Sequence, residues 1–181
     1  MIPDDDILEG GQHPITFLRY CYAQEEVRAH AVGVAFDTGF DKGRALSPGE
    51  LLEMALAADA SDLSREELRR FRRMDLALEV ADENGDTRYL AVEIAFYAEQ
   101  KGIDRAIANA RLLERFSGYP AYATIAVGRD YRGLPQAVLA GEYPILLDIP
   151  GCRQVYLYQL NERNIERAMA DLRYERGHYG Y

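Results

Sequence analysis

Two carboxylates raise the first chemical question. Asp75 stands at the entrance of an apolar run, Leu76-Ala77-Leu78-Glu79-Val80, and Glu93 stands in the middle of a second, Tyr89-Leu90-Ala91-Val92-Glu93-Ile94-Ala95-Phe96. Asp82-Glu83-Asn84-Gly85-Asp86 lies between them and carries turn chemistry, so the two runs read as an antiparallel hairpin. A two-residue turn at Asn84-Gly85 would set Asp75 opposite Ile94 and mix charged with apolar side chains on both faces. A three-residue loop, Glu83-Asn84-Gly85, with Gly85 in the left-handed conformation sets Asp75 opposite Glu93 instead. One face then carries Leu76, Leu78, Val80, Leu90, Val92, Ile94 and Phe96 without interruption, which selects this register. The other carries Asp75, Ala77, Glu79, Ala91, Glu93 and Ala95. Opposed side chains have Cβ atoms about 4.5–5.5 Å apart, where like charges repel. Two carboxylates so placed call for a proton, an arginine or a divalent cation between them. The simpler alternative is a surface Asp75 and a Glu93 paired with an arginine.

The elements that must position this pair can be read on either side of it. Pro14 to about Val32 has helical character, after an acidic opening arm; residues 33–46 read as irregular. Ser47-Pro48-Gly49-Glu50 is a capping box with proline at the first helical position, and Ser64-Arg65-Glu66-Glu67 repeats the capping box before a short basic helix. After the hairpin, Ile103, Ala106, Ile107, Ala110, Leu113 and Phe116 form one helical stripe that Gly118 ends. Residues 121–127 read as a buried strand. A short helix is expected near 134–140, strands near 144–148 and 153–159, and a last helix capped by Asn161. The order predicts an α/β fold with a mixed central sheet flanked by helices. With 181 residues it is one domain overall: an N-terminal arm and helix (1–46) packed on a core (47–181) that ends in a C-terminal helix.

Charge and composition narrow the classes of function. A net charge of −9 argues against coating nucleic acid by bulk attraction, but a local basic patch can still dock a backbone. Arg65, Arg69, Arg70, Arg72 and Arg73 crowd the helix leading into Asp75. The 21 basic residues include only two lysines, Lys42 and Lys101. Thirteen tyrosines could stack bases, although core positions account for most such residues. Cys21 and Cys152 have no nearby Cys or His partner, so neither a zinc site nor a structural disulfide is expected. The three histidines show no metal spacing, and no phosphate-loop or dinucleotide fingerprint appears. No apolar run is long enough for a membrane span, and the expectation is a soluble, cytoplasmic protein.

An Asp at the head of a hairpin strand, 18 residues before a Glu inside an apolar strand, resembles the PD-(D/E)XK, or restriction-endonuclease-like, nucleases. So do the preceding helices, the helix after the Glu strand and the strand at 121–127; the likeness covers roughly residues 47–128. It implies a restriction-endonuclease-like core with an N-terminal helical extension, and a hydrolase acting on phosphodiester bonds. Mg²⁺ or Mn²⁺ would be held by Asp75, Glu93 and the Ile94 carbonyl, with one of Glu50, Glu53 or Glu67 joining from a preceding helix. Nucleic acid, expected to be DNA, would meet Arg69, Arg70, Arg73 and Arg105; a homodimer is a further possibility. The family's proline before the Asp is Met74 here, and the lysine two after the Glu is Ala95. Lys101 is the replacement candidate for the catalytic lysine. Arg105, also nearby, stays charged and cannot act as a base near neutral pH. Two other readings stand beside this one: a nuclease-like scaffold without catalysis that binds nucleic acid or protein, and an unrelated α/β binding domain.

Overall fold

A computed structural model describes residues 14–58, 63–97, 100–130, 145–147 and 155–178. Helices α1 (Pro14–Ala29) and α2 (Ala31–Asp37) lead into strand β1 (Asp41–Ala45). Helices α3 (Pro48–Ala57) and α4 (Arg65–Arg72) then precede the hairpin β2 (Leu76–Ala81) and β3 (Thr87–Tyr97). Helix α5 (Gln100–Ser117), strands β4 (Ala121–Asp130), β5 (Ile145–Leu147) and β6 (Val155–Gln159), and helix α6 (Glu162–His178) complete the order. Among the described residues six strands form one mixed sheet, β1-β2-β3-β4-β6-β5. β1, β2 and β3 run antiparallel in turn, β4 and β6 lie parallel to β3, and β5 returns antiparallel to β6. The chain is therefore α/β with a mixed central sheet flanked by helices, as the sequence predicts. The helix expected near 134–140 lies outside the described residues, as does Cys152. Cys21 is a free, half-buried thiol.

The hairpin follows the three-residue loop. Leu76 pairs with Val92, Ala77 with Ala91 and Leu78 with Leu90. The Asp82 N–H donates to the Asp86 carbonyl at 2.9 Å and the Gly85 N–H to the Asp82 carbonyl at 2.9 Å, with Gly85 at φ +81°. That dihedral is open to glycine and strained for side-chain-bearing residues, so Gly85 sets the register of both strands. Asp82 Oδ1 accepts from the N–H groups of Asn84 and Asp86 and closes the loop.

Both faces of the sheet are covered. Leu76, Leu78, Val80, Leu90, Val92 and Ile94 pack with Ala23 and Val27 of α1, Val34 of α2, and Ile165 and Met169 of α6. Ala77 and Ala91, on the other face, pack with Phe71 of α4 and with Ile103, Ala106, Leu113 and Phe116 of α5. The small alanines give α4 and α5 room near the strands, and Phe71 meets Phe116 edge-on at 4.6 Å between ring centres. Both capping boxes form: Ser47 and Ser64 Oγ accept from the Glu50 and Glu67 N–H groups, and those glutamates accept from the serine N–H groups. These caps fix where α3 and α4 begin.

Residues 33–46 correct the sequence expectation, which was irregular chain. Ala31, Val34 and Ala35 bury one face of α2, and the Thr38 hydroxyl donates to the Val34 carbonyl at 2.8 Å before Gly39 turns the chain. Asp41–Ala45 then pairs with β2 as an edge strand. Its sequence, Asp-Lys-Gly-Arg-Ala, has neither apolar alternation nor β-branched residues, so its pairing comes from tertiary context. Gly43 permits that context: a Cβ there would stand 1.9 Å from the Ala31 carbonyl oxygen.

Candidate functional site

Asp75 precedes β2 where the hairpin ladder ends. Continued one step past Leu76–Val92, the register sets it across from Glu93. Asp75 Oδ2 accepts from the Ile94 N–H at 2.7 Å. Asp75 Oδ1 accepts a short hydrogen bond from the Tyr20 hydroxyl, which comes from α1 and in turn accepts from Gln24 Nε2 at 3.2 Å. Burial raises the Asp75 pKa above the ordinary carboxylate range, opposed by the Tyr20 and Ile94 hydrogen bonds and the Arg105 charge. Tyr20 is driven upward by its own burial and then by Asp75 and Glu93, so its hydroxyl keeps its proton and acts as a donor.

Glu93 is 5 % exposed, on the face of β3 covered by α4 and α5. Its Oε1 lies 2.5 Å from the Arg105 guanidinium on α5. A buried carboxylate in an apolar strand requires such a counter-charge. The two acids meet in one cleft of about 410 Å³. Arg65, Arg69 and Arg70 of α4 and Arg73 at its C-cap line one side, while Lys101, Arg105 and Asn109 of α5 line it at four-residue intervals. A second cavity of about 360 Å³, lined by Leu68 and Arg72 as well as Arg65, Arg69 and Arg73, adjoins the same arginine stripe.

The structure thus brings together Asp75, Glu93, Lys101, Arg69, Arg70, Arg73 and Arg105. Ile94 contributes its N–H to Asp75, and its side chain is buried on the opposite face. The helix glutamates named from sequence do not line the cleft. Glu50 is held by the Ser47 cap and Arg44, which together lower its pKa to about 2, and Glu67 closes the Ser64 cap. Glu66 lines the cleft instead, 3.9 Å from Arg70. Two other residues escaped the sequence reading. Tyr20 reaches Asp75 across 55 positions, a contact with no local signature. Asn109 sits among apolar positions of α5, 4 % exposed, and its Oδ1 is buried with no hydrogen-bond partner. A four-residue step from Arg105 was the one available signal for it.

Among the described residues, no group of three His, Cys, Asp or Glu side chains forms a metal cage. The donors that do converge are hard oxygens. Mg²⁺ takes only one or two carboxylates and keeps several waters, so a two-carboxylate site opening on a water-accessible cleft fits it. Among the described residues, no helix is long and apolar enough to cross a membrane. Comparison with known proteins finds no matching family model, no matching curated protein and no matching solved structure.

Proposed function

We propose that the cleft binds a nucleic-acid backbone and hydrolyses a phosphodiester bond with the help of a divalent cation. The observation that carries this reading is the convergence of Asp75 and Glu93 in a cleft walled by arginines. The helix–hairpin–helix–strand order around them supports a restriction-endonuclease-like core. Asp75 and Glu93 would hold Mg²⁺ or Mn²⁺, which supplies Lewis-acid stabilisation of phosphate charge and a more acidic water.

The chain's own residues take separate parts. Arg69, Arg70 and Arg73 hold phosphates through charge and hydrogen bonds, positioning a strand without reading its bases. Lys101 brings an ammonium into the cleft from α5, where it can donate to a non-bridging phosphate oxygen or orient a water. It thereby replaces the lysine absent at Ala95. Arg105 holds Glu93 in place through their ion pair, and Tyr20 with the Ile94 N–H fixes the Asp75 carboxyl. Attack by water at phosphorus breaks one P–O bond and leaves a phosphate monoester and a free hydroxyl.

Incubation of duplex DNA, single-stranded DNA and RNA with Mg²⁺ or Mn²⁺ tests the proposal. Cleavage is expected from the wild type, lost in Asp75→Ala and Glu93→Gln, and strongly reduced in Lys101→Ala. Equal cleavage by wild type and both acid variants would overturn it. A second reading, a binding scaffold without catalysis, is favoured by Ala95 and by the Arg105–Glu93 ion pair. Tight binding of a strand with no cleavage under any divalent metal would select it.

A further inference from the structure

We propose that Asn109 supplies a third oxygen donor to the cation site of Asp75 and Glu93, an inference that rests on the metal-dependent reading above. Buried polar atoms are almost always hydrogen-bonded, because an unpartnered one forfeits its hydration. Asn109 Oδ1 is a buried acceptor with no hydrogen-bond partner, on a residue that lines the cleft holding both acids. One helical turn before it, Arg105 places its Nη2 2.5 Å from Glu93 Oε1.

The chemistry of the cleft selects the occupant. A carbonyl oxygen attracts a cation or a hydrogen-bond donor and repels a phosphate oxygen. Asp75 and Glu93 are acceptors of the same kind, so the three share one class of ligand. Hard divalent cations combine amide oxygens with carboxylates. A neutral amide adds a donor without placing a third negative charge beside two carboxylates that already repel. Asn109 also fills the vacancy left by Glu50 and Glu67, which the helix caps hold elsewhere.

The test is Mn²⁺ binding to the full chain near neutral pH, followed by calorimetry and by the Mn²⁺ spin-resonance signal, without substrate. Asn109→Leu is expected to weaken Mn²⁺ binding at least tenfold. Its melting temperature without metal should equal or exceed that of the wild type, since an idle buried acceptor has been removed. Asn109→Asp should tighten binding. Wild-type affinity in Asn109→Leu, alongside loss of binding in Glu93→Gln, overturns the Asn109 assignment and leaves the two-carboxylate site standing. A wild type that binds no Mn²⁺ overturns both. Should Asn109→Leu fail to fold, Asn109→Asp decides: tighter binding supports the assignment, and unchanged or weaker binding overturns it.

Discussion

Arg69 offers the cleanest quantitative test of the arginine wall, because it lines both cavities and its side chain is exposed. Arg69→Ala should therefore leave the fold intact. Each cation that neutralises a phosphate contributes about 0.9 to the slope of log affinity against log salt on a duplex, and about 0.7 on a single strand. If Arg65, Arg69, Arg70, Arg73 and Lys101 all engage a duplex, the wild-type slope is about −4.5, and Arg69→Ala lowers its magnitude by about 0.9. Between 50 and 200 mM salt the variant should lose roughly threefold less affinity than the wild type. Fluorescence anisotropy with a labelled duplex and a labelled single strand, in chelator so that nothing is cut, reads this directly. The affinity loss at low salt should be similar for unrelated sequences, since a phosphate contact carries no base information. An unchanged slope, with Arg69→Ala and wild type binding alike at every salt concentration, refutes the placement of a backbone along α4.

Three further outcomes test the scaffold beneath the site. Gly43→Ala should destabilise the protein by about 1–3 kcal/mol or more, because its Cβ would collide with Ala31 backbone; Gly33→Ala in α2, with open space around it, should be neutral or stabilising by thermal melts. Glu50→Gln tests the first cap by its pH dependence. The folded pKa of about 2 lies below the ordinary 4.5, so the carboxylate's stabilisation is present above 4.5 and lost as pH falls towards 2. The melting gap between wild type and Glu50→Gln should be full at pH 6 and close near pH 2; a constant gap would contradict the assignment. Tyr20→Phe should lower stability by about 1–3 kcal/mol in denaturant titrations, the cost of leaving a buried carboxyl oxygen without its donor. A loss below about 0.5 kcal/mol would mean that Asp75 does not depend on Tyr20.

The parts of this protein legible in its sequence are those governed by local chemistry. Gly85 dictates a loop length, the loop length dictates a register, and the register sets Asp75 across from Glu93; every step is a short-range rule. The capping boxes at Ser47 and Ser64 announce α3 and α4 for the same reason. What stayed hidden depends on distant partners. Asp41–Ala45 is a strand because β2 offers it an edge and Gly43 lets it approach α2, neither of which its own residues announce. Glu50 and Glu67 looked available for the site because a capping glutamate and a catalytic one are the same residue type. Their N3 positions after a serine cap were the clue that they were already committed. Asn109 went unnoticed because a single amide on an amphipathic helix carries no pattern. Only its burial beside the acids makes it conspicuous.

The central claim is that Asp75 and Glu93 act together on one hard cation. Titration of the metal-free full chain with Mg²⁺ in a calorimeter, wild type against Glu93→Gln, tests it most directly. A saturable heat in the wild type that disappears in the variant is the predicted result. Identical heats in the two proteins, or none in either, would contradict it.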